Sequence, residues 1–369
     1  MIDIEILIIG GGPGGASTAW KLRELGHEVL ILDKDDFPRT KLCAGWVTPG
    51  VFKSLEMTPD EYPEGLVTFD QIHGEYFSPG KAKPLAFATT QYSIRRFEFD
   101  AWLLQRSGAP VQKHTVKEIR REGHSFIVDD TYRSKILIGA GGTHCPVARL
   151  LFPVTNARTA PYQVGALEQE FPYQWKDERC MLWFGENGLP GYSWYVPKAG
   201  GYLNVGIGGF SEHMRNCRIT LRQHWDHLTQ KLQESGMVEN HDWKPKGHTY
   251  FVRQRAKVTE DRNAYIVGDA AGLATCDLAE GIGPAIESGI LTAHAIHEGR
   301  SVDLSGITRY SALERGWKAS LFASTLDRNG TFFRDRIYAR KYQKKEDAFL
   351  AAATASQKLN KEKAGASIG

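Results

Sequence analysis

The chain has 369 residues, 41% hydrophobic and 24% charged, with 46 Lys and Arg against 43 Asp and Glu for a formal charge of +3. This is the composition of a globular protein long enough for two domains; it gives no reason to expect a nucleic-acid partner, and no apolar run approaches the ~20 residues of a membrane span. Cys43, Cys145, Cys180, Cys217 and Cys276 are odd in number and scattered, which fits a reducing cytoplasm rather than a disulfide framework, and without Cys-x-x-Cys or His-Glu-x-x-His no metal site is expected.

The first element is Met1 to Ile9 (MIDIEILII), an apolar, β-branched run the length of one buried strand. It carries Asp3 and Glu5 and lacks a basic start, so it is not expected to be a signal peptide. Gly10-Gly11-Gly12-Pro13-Gly14-Gly15 follows, with Gly-x-Gly-x-x-Gly at Gly10, Gly12 and Gly15. Ala16 to Leu25 reads as a helix stopped by Gly26, and His27 to Leu32 as a second strand with Asp33 at its end. In that context the triplet is the turn of a dinucleotide-binding β-α-β unit. The helix N-terminus faces phosphates with unpaired N–H groups, and Asp33 accepts from a ribose 2′-hydroxyl, where a 2′-phosphate would be repelled. The motif alone does not separate FAD from NAD.

Phe37 to Gly50 (FPRTKLCAGWVTPG) reads as a loop, basic at Arg39 and Lys41 and small at Cys43-Ala44-Gly45. Either it lies flat against a cofactor, or it is a surface loop with a buried, inert Cys43. Val51 to Ala88 mixes short strands and prolines, with one helical stretch at Val51 to Leu55. Tyr92 to Ser107 is a strand ending near Ile94, then Arg95-Arg96, then a helix with Phe99, Trp102 and Leu103 on one face. Arg96 there either reaches a phosphate or ribityl oxygen, or is a solvated arginine paired with Asp100 at i+4.

Val111 to Gly142 reads as a small meander with apolar pieces at Val116, Phe126 to Val128 and Lys135 to Ile138, running into Gly139-Ala140-Gly141-Gly142. From Ala160 to about Phe251 aromatics cluster, among them Tyr162, Phe171, Trp183, Tyr192, Trp194 and Tyr195. Strand-like segments at Val164–Glu170, Cys180–Gly185, Tyr192–Pro197 and Tyr202–Ile207 predict a sheet with an aromatic face. Most of these rings belong to core, and a subset lines an apolar pocket. Ile219 to Ser235 reads as one helix. Ala264 to Val267 is a short buried strand before Gly268-Asp269. Gly281-Ile282-Gly283-Pro284 then opens a helix to His297, with Pro284 suited to its first turn. Thr331 to Gly369 reads as helical and basic, with nine Lys and Arg against four Asp and Glu. It is a solvated face or a contact for anionic lipid or an acidic electron donor.

The glycine triplet, Arg96 before Phe99-Asp100, and Gly268-Asp269 before Gly281-Ile282 together resemble FAD enzymes of the p-hydroxybenzoate hydroxylase fold, over about residues 1–300. Lys41-Leu42-Cys43-Ala44-Gly45 is similar to the Lys-x-Cys-Gly-Gly loop of the geranylgeranyl reductase family. Tyr192-Ser193-Trp194-Tyr195-Val196-Pro197 is similar to that family's Tyr-x-Trp-x-Phe-Pro substrate motif. Ala44 and Val196 depart from these patterns. Gly141-Gly142 stands where related enzymes carry Asp-Gly, and Cys145 where many carry serine.

The resemblance implies an α/β fold in which a Rossmann-like FAD domain carries an antiparallel-sheet substrate domain. The FAD domain would collect 1–52, 89–158 and 253–300, the substrate sheet 53–88 and 159–252, and 301–369 would be a helical tail. It implies FAD held by Gly10, Gly12, Gly14, Gly15 and Asp33 at the ADP end. Arg39, Lys41, Cys43, Ala44, Arg96 and Val116 would contact it along its length, and Asp269, Gly281 and Ile282 would meet the ribityl chain and ring edge. The activity implied is hydride transfer from reduced FAD to a C=C bond of an apolar, isoprenoid or quinone-like substrate, with Cys43, Tyr192 and Trp194 at the reacting end. The electron donor stays open between NAD(P)H and a reduced protein carrier, and peripheral membrane contact and oligomeric state stay open with it. An FAD monooxygenase or halogenase is the alternative enzyme, since Tyr192-x-Trp194-x-Val196-Pro197 also resembles the halogenase Trp-x-Trp-x-Ile-Pro motif. An electron-carrying or redox-sensing flavoprotein is the non-catalytic alternative.

Overall fold

The computed structural model describes residues 1–78, 81–215, 219–254 and 258–307. The basic segment 331–369 and Cys217 lie outside the described residues. Two sheets carry the fold. In the first, β1 (Ile2–Ile9) is central and pairs in parallel with β2 (Val29–Asp33) on one side and β9 (Tyr132–Gly139) on the other. β6 (Val111–Lys113) extends it beyond β2, and β16 (Ala264–Ile266) beyond β9, both parallel, with β15 (Glu260–Asp261) antiparallel at that edge. The hairpin of β7 (Ile119–Glu122) and β8 (Ser125–Val128) continues antiparallel from the start of β9.

Strand parity explains why both faces of this sheet are covered. Ile6, Ile8, Val29 and Ile31 point to one side, where Ala16, Ala19 and Leu22 of α1 (Pro13–Glu24), Phe99 and Leu103 of α3 (Arg96–Arg106) and Ile286 and Ala293 of α7 (Ile282–Glu298) close a core. Leu7, Ile9, Leu30 and Leu32 point to the other, against Phe126, Val128 and Val147. Burial on both faces is why β1 and β2 read as continuous apolar runs.

The second sheet is ordered β14 (Lys246–Phe251), β10 (Gln163–Pro172), β13 (Tyr202–Phe210), β12 (Gly191–Lys198), β11 (Cys180–Phe184), β4 (Val67–Ser78), β5 (Lys81–Ser93), β3 (Trp46–Val47). Every neighbour pair is antiparallel except β11 with β4. Its outer face packs on α6 (Leu221–Glu234), whose Trp225, Leu228 and Leu232 meet Tyr195, Leu203, Val205 and Ile207. Thr220 caps that helix by accepting the Gln223 N–H at 3.3 Å.

The stretch read as short strands between Val51 and Ala88 is instead a hairpin of 12 and 13 residues. A bulge between Phe69 and Gln71 explains the difference: it moves the buried positions from odd (Phe69) to even (Ile72, Tyr76) and breaks the alternation a sequence reader looks for. The helix expected from Val51 begins earlier, as α2 (Pro49–Ser54) with Pro49 in its first turn.

Gly15 is where the nucleotide-binding turn has no room for a side chain: a methyl there would stand 1.9 Å from the Gly10 carbonyl oxygen. We predict that Gly15→Ala costs about 2 kcal/mol or more in urea denaturation, as overpacking against backbone does. Gly283→Ala, whose methyl would meet Val51 at an ordinary 3.5 Å, should be neutral or slightly stabilising because alanine favours a helix. Equal losses for the two would contradict the close-approach reading.

Candidate active site

A cavity of about 1450 Å³ runs from the Gly10–Gly14 turn to the inner face of the second sheet. Gly10, Gly12, Gly14, Asp33, Arg39, Lys41, Cys43, Ala44, Arg96, Val116, Tyr192, Trp194, Asp269, Gly281 and Ile282 all line it. Gly15 does not; it sits behind the turn, where it lets α1 approach β1.

At one end Gly12 is the N-cap of α1 and no side chain caps that terminus, so its first N–H groups are available to an anion. Asp33, at the end of β2, accepts the Gly11 N–H at 2.7 Å and the Asp35 N–H at 2.9 Å. Both bonds fix the carboxylate at the cavity edge. Asp269 follows β16 in the same way, and Gly281, the uncapped N-cap of α7, comes so close that a methyl there would stand 3.1 Å from Asp269 Oδ1. Arg158 also lines the cavity, held at one guanidinium nitrogen by the Ala270 carbonyl at 2.7 Å, while its Nη1 is buried without a partner among the described residues.

These features fit FAD. Two uncapped helix starts, one carboxylate at each of two strand ends, and a buried guanidinium nitrogen match a diphosphate flanked by polyhydroxyl groups. The volume also exceeds the roughly 300–1,000 Å³ of ordinary small-molecule pockets, which leaves room beside a dinucleotide.

Arg96 is buried and donates to both Asp100 oxygens, at 2.6 and 2.7 Å. The i+4 pairing read from the sequence is therefore present, but the arginine is not solvated. Burial works against its charge, and Asp100 and then Cys43 favour it more strongly, holding its pKa well above the ordinary value. Arg39 shares Asp100, at 3.5 Å.

The loop Cys43–Gly45 is held almost entirely by the second sheet. Glu168 on β10 accepts the Cys43 N–H. Asn204 on β13 donates to the Cys43 carbonyl at 3.3 Å and accepts the Trp194 indole N–H at 2.7 Å. Lys198, at the end of β12, donates to the carbonyls of Ala44 and, at 2.8 Å, Ile94. Gly45 has a φ of +64°, and a methyl there would stand 2.1 Å from the Ile94 oxygen, so the turn demands glycine. Its N–H points to Cys43 Sγ at 3.3 Å.

Parity on β12 sorts the aromatics. Tyr192, Trp194 and Val196 line the cavity, whereas Tyr195 belongs to the outer core with Trp225. Tyr192 donates to the Leu278 carbonyl at 2.6 Å, tying β12 to the segment before α7. Leu182 and Ala166 continue the apolar wall.

Sequence reading passed over Glu168, Lys198, Asn204, His248 and Tyr250. A signal existed for two of them: Glu168 shares the parity of buried Val164 and Ala166, and Lys198 that of Tyr192, Trp194 and Val196. A charge at an inward position of a strand is the informative exception. Glu168 is 2% exposed and Lys198 0%. Burial, the largest cause, pushes the Glu168 pKa up to about 7, against the Cys43 N–H and the Lys198 charge. Burial likewise pulls Lys198 down to about 8 and His248 down to about 4, with Lys41 and Arg96 adding to the latter.

A family model described as FAD dependent oxidoreductase matches residues 5–102. An uncharacterised protein of Methanosarcina barkeri is 29% identical over 331 residues, 87% of this chain and 81% of that one. Digeranylgeranylglycerophospholipid reductase 3 of Methanosphaera stadtmanae is 26% identical over 309 residues, 78% of this chain and 76% of that one. Among solved structures, a geranylgeranyl bacteriochlorophyll reductase-like protein of Thermoplasma acidophilum shares the fold, with a TM-score of 0.70 at 19% identity over 95% of this chain and 90% of that one.

A carboxyl whose pKa rises on folding stabilises the folded state most when both states are protonated, and that stability is lost as pH rises. For Glu168 the window runs from its ordinary 4.5 to about 7. We predict that Glu168→Gln, which keeps an acceptor for the Cys43 N–H, gains on the wild type across that window by about 3 kcal/mol at most, and that the gap then levels. Lys198 has the opposite sign, its stabilisation growing from about pH 8 toward 10.5, so it does not overlap. Parallel urea-denaturation profiles for the two proteins between pH 4.5 and 7 would contradict the assignment.

Proposed function

We propose that this chain, a geranylgeranyl reductase-like FAD-dependent oxidoreductase, adds two hydrogens across a C=C bond of a prenyl-type apolar substrate. The observation that carries this reading is the wall beyond Cys43, where Tyr192, Trp194, Val196, Leu182 and Ala166 face the same cavity as the nucleotide-binding turn. A hydrocarbon chain lying along that wall loses water, and its two ring-bearing residues are held in place, Tyr192 by the Leu278 carbonyl before α7 and Trp194 by Asn204 on the neighbouring strand β13.

In this reading Gly10, Gly12 and Gly14 bring backbone up to the diphosphate, with Gly15 permitting the approach. Asp33 holds the adenosine ribose and Asp269 the ribityl hydroxyls. Arg39 and Lys41 neutralise phosphate charge, while Arg96 and Val116 flank the cofactor. Gly281 and Ile282 set the positive end of α7 at the ring edge, where charge accumulates on reduction. Cys43 and Ala44, which line the cavity, would contact the ring. FAD, when reduced, supplies the hydride. The protein's part is to hold the alkene over the ring, exclude water and deliver a proton. The electron donor is NAD(P)H or a reduced protein carrier. Among the described residues no helix is long and apolar enough to cross a membrane; we propose that a prenyl lipid is met by peripheral contact with the bilayer.

The test is anaerobic. The purified protein is reduced with dithionite and mixed with digeranylgeranylglycerophospholipid, prenyl alcohols or quinones, and the flavin absorbance is followed. We predict reoxidation by a prenyl compound with saturation of its double bond. Coupled oxygen uptake with an aromatic substrate, and none of the former, would put an oxygenase or halogenase in its place. Cys43→Ala should keep FAD bound and slow reoxidation about tenfold or more, a moderate catalytic loss; an unchanged rate would remove Cys43 from the reacting face.

A further inference from the structure

We propose that Glu168 is the acid that supplies the second hydrogen of the reduction, as a proton from the wall of the cavity. The assignment rests on the alkene-reduction reading above. Glu168 lines the cavity on β10 between the cofactor loop and the apolar wall. Its two oxygens have different surroundings. Oε1 accepts the Cys43 N–H, which orients the carboxyl. Oε2 is buried and makes no close hydrogen bond among the described residues; the nearby Asn204 amide, which favours the ionised form, is engaged with the Cys43 carbonyl at 3.3 Å. A carboxylate with one oxygen buried and unpartnered is costly. A carboxylic acid there costs less than a carboxylate, and Glu168 lines the cavity where its proton can meet a group that enters.

The groups facing Glu168 come from every element around it: Cys43 from the loop, Glu170 from its own strand, Lys198 from β12 and Asn204 from β13. Tyr250 on β14 also senses its charge, with His248 beside it on the cavity wall. Burial outweighs the cation among them and pushes the acid up to about 7, so it stays largely protonated in mildly acidic solution. The sulfur of Cys43, the other candidate donor, is already engaged by the Gly45 N–H at 3.3 Å and has the Arg96 guanidinium as a neighbour.

The step balances. Hydride from the reduced flavin forms one C–H bond as the alkene π bond breaks. The electron pair of that bond takes the Glu168 proton at the adjacent carbon, breaking O–H and leaving a carboxylate beside Lys198. Water returns the proton, and the two electrons are those of the reduced flavin.

The experiment compares the wild type with E168Q and C43A, each holding FAD by its absorption spectrum. Reduced protein is mixed anaerobically with digeranylgeranylglycerophospholipid in detergent between pH 6 and 9. The infrared carboxyl band is titrated in parallel without lipid. We expect the wild-type rate to fall about tenfold per pH unit above 7, E168Q to be slowed at least a hundredfold with no such slope, and C43A to be slower but to keep the slope. We also expect a protonated-carboxyl band that disappears near pH 7 in the wild type and is missing from E168Q. Reoxidation of E168Q within threefold of the wild type, loss of the slope in C43A, or identical infrared titrations would each overturn the assignment. If the wild type itself is not reoxidised by the lipid, the reduction reading falls and takes the assignment with it.

Discussion

The Cys43 end of the cavity depends on how three residues of the second sheet grip one short peptide of the first half. Glu168, Asn204 and Lys198 take the N–H of Cys43, the carbonyl of Cys43 and the carbonyl of Ala44. Loop backbone placed beside a cofactor needs partners for its polar groups, because water is excluded there. The second sheet provides them, so the two sheets share a cavity whose middle is defined by their junction. Lys198 extends the grip to the Ile94 carbonyl, two residues before α3 begins with Arg96, and so fixes the start of that helix relative to the loop.

This device carries a cost. A carboxyl and an ammonium are taken out of water, and neither is neutralised by a close partner of opposite sign as fully as Arg96 is by Asp100. Buried charges of this kind seldom add stability. Perturbed ionisation in a cleft is instead typical of a site where chemistry is done. The apolar wall and the polar grip alternate along the same strands: Tyr192, Trp194 and Val196 precede Lys198 at one parity of β12, and Ala166 precedes Glu168 on β10. One face of one sheet thereby offers hydrocarbon contact and an acid within a single cavity.

Much of this was legible before any coordinates. Buried parallel strands read as unbroken apolar runs, and the glycine triplet stood between a strand, a helix and an acid in register, so the β1–α1–β2 unit and the junction from β16 to α7 could be located from the chain alone. The pairing of Arg96 with Asp100 followed from helical spacing, but its burial depended on packing that spacing does not encode. The β4–β5 hairpin escaped because a single bulge reversed the parity of its buried residues. The grip on Cys43 escaped because its members lie 125 to 161 residues away, and only the register of β10, β12 and β13 brings them together. The inward parity of Glu168 and Lys198 was a usable sign, visible once the strands are written out by alternation.

The most direct test of the account is the crystal structure of the protein with FAD and a prenyl lipid bound. The account predicts the isoalloxazine ring between the Cys43–Ala44 peptide and the Tyr192–Trp194 wall, with the lipid double bond within reach of Glu168 and the loop still gripped by the second sheet. A ring lying at the far end of the cavity near His144 and Arg149, or a Cys43–Gly45 loop released from Glu168 and Lys198, would contradict it.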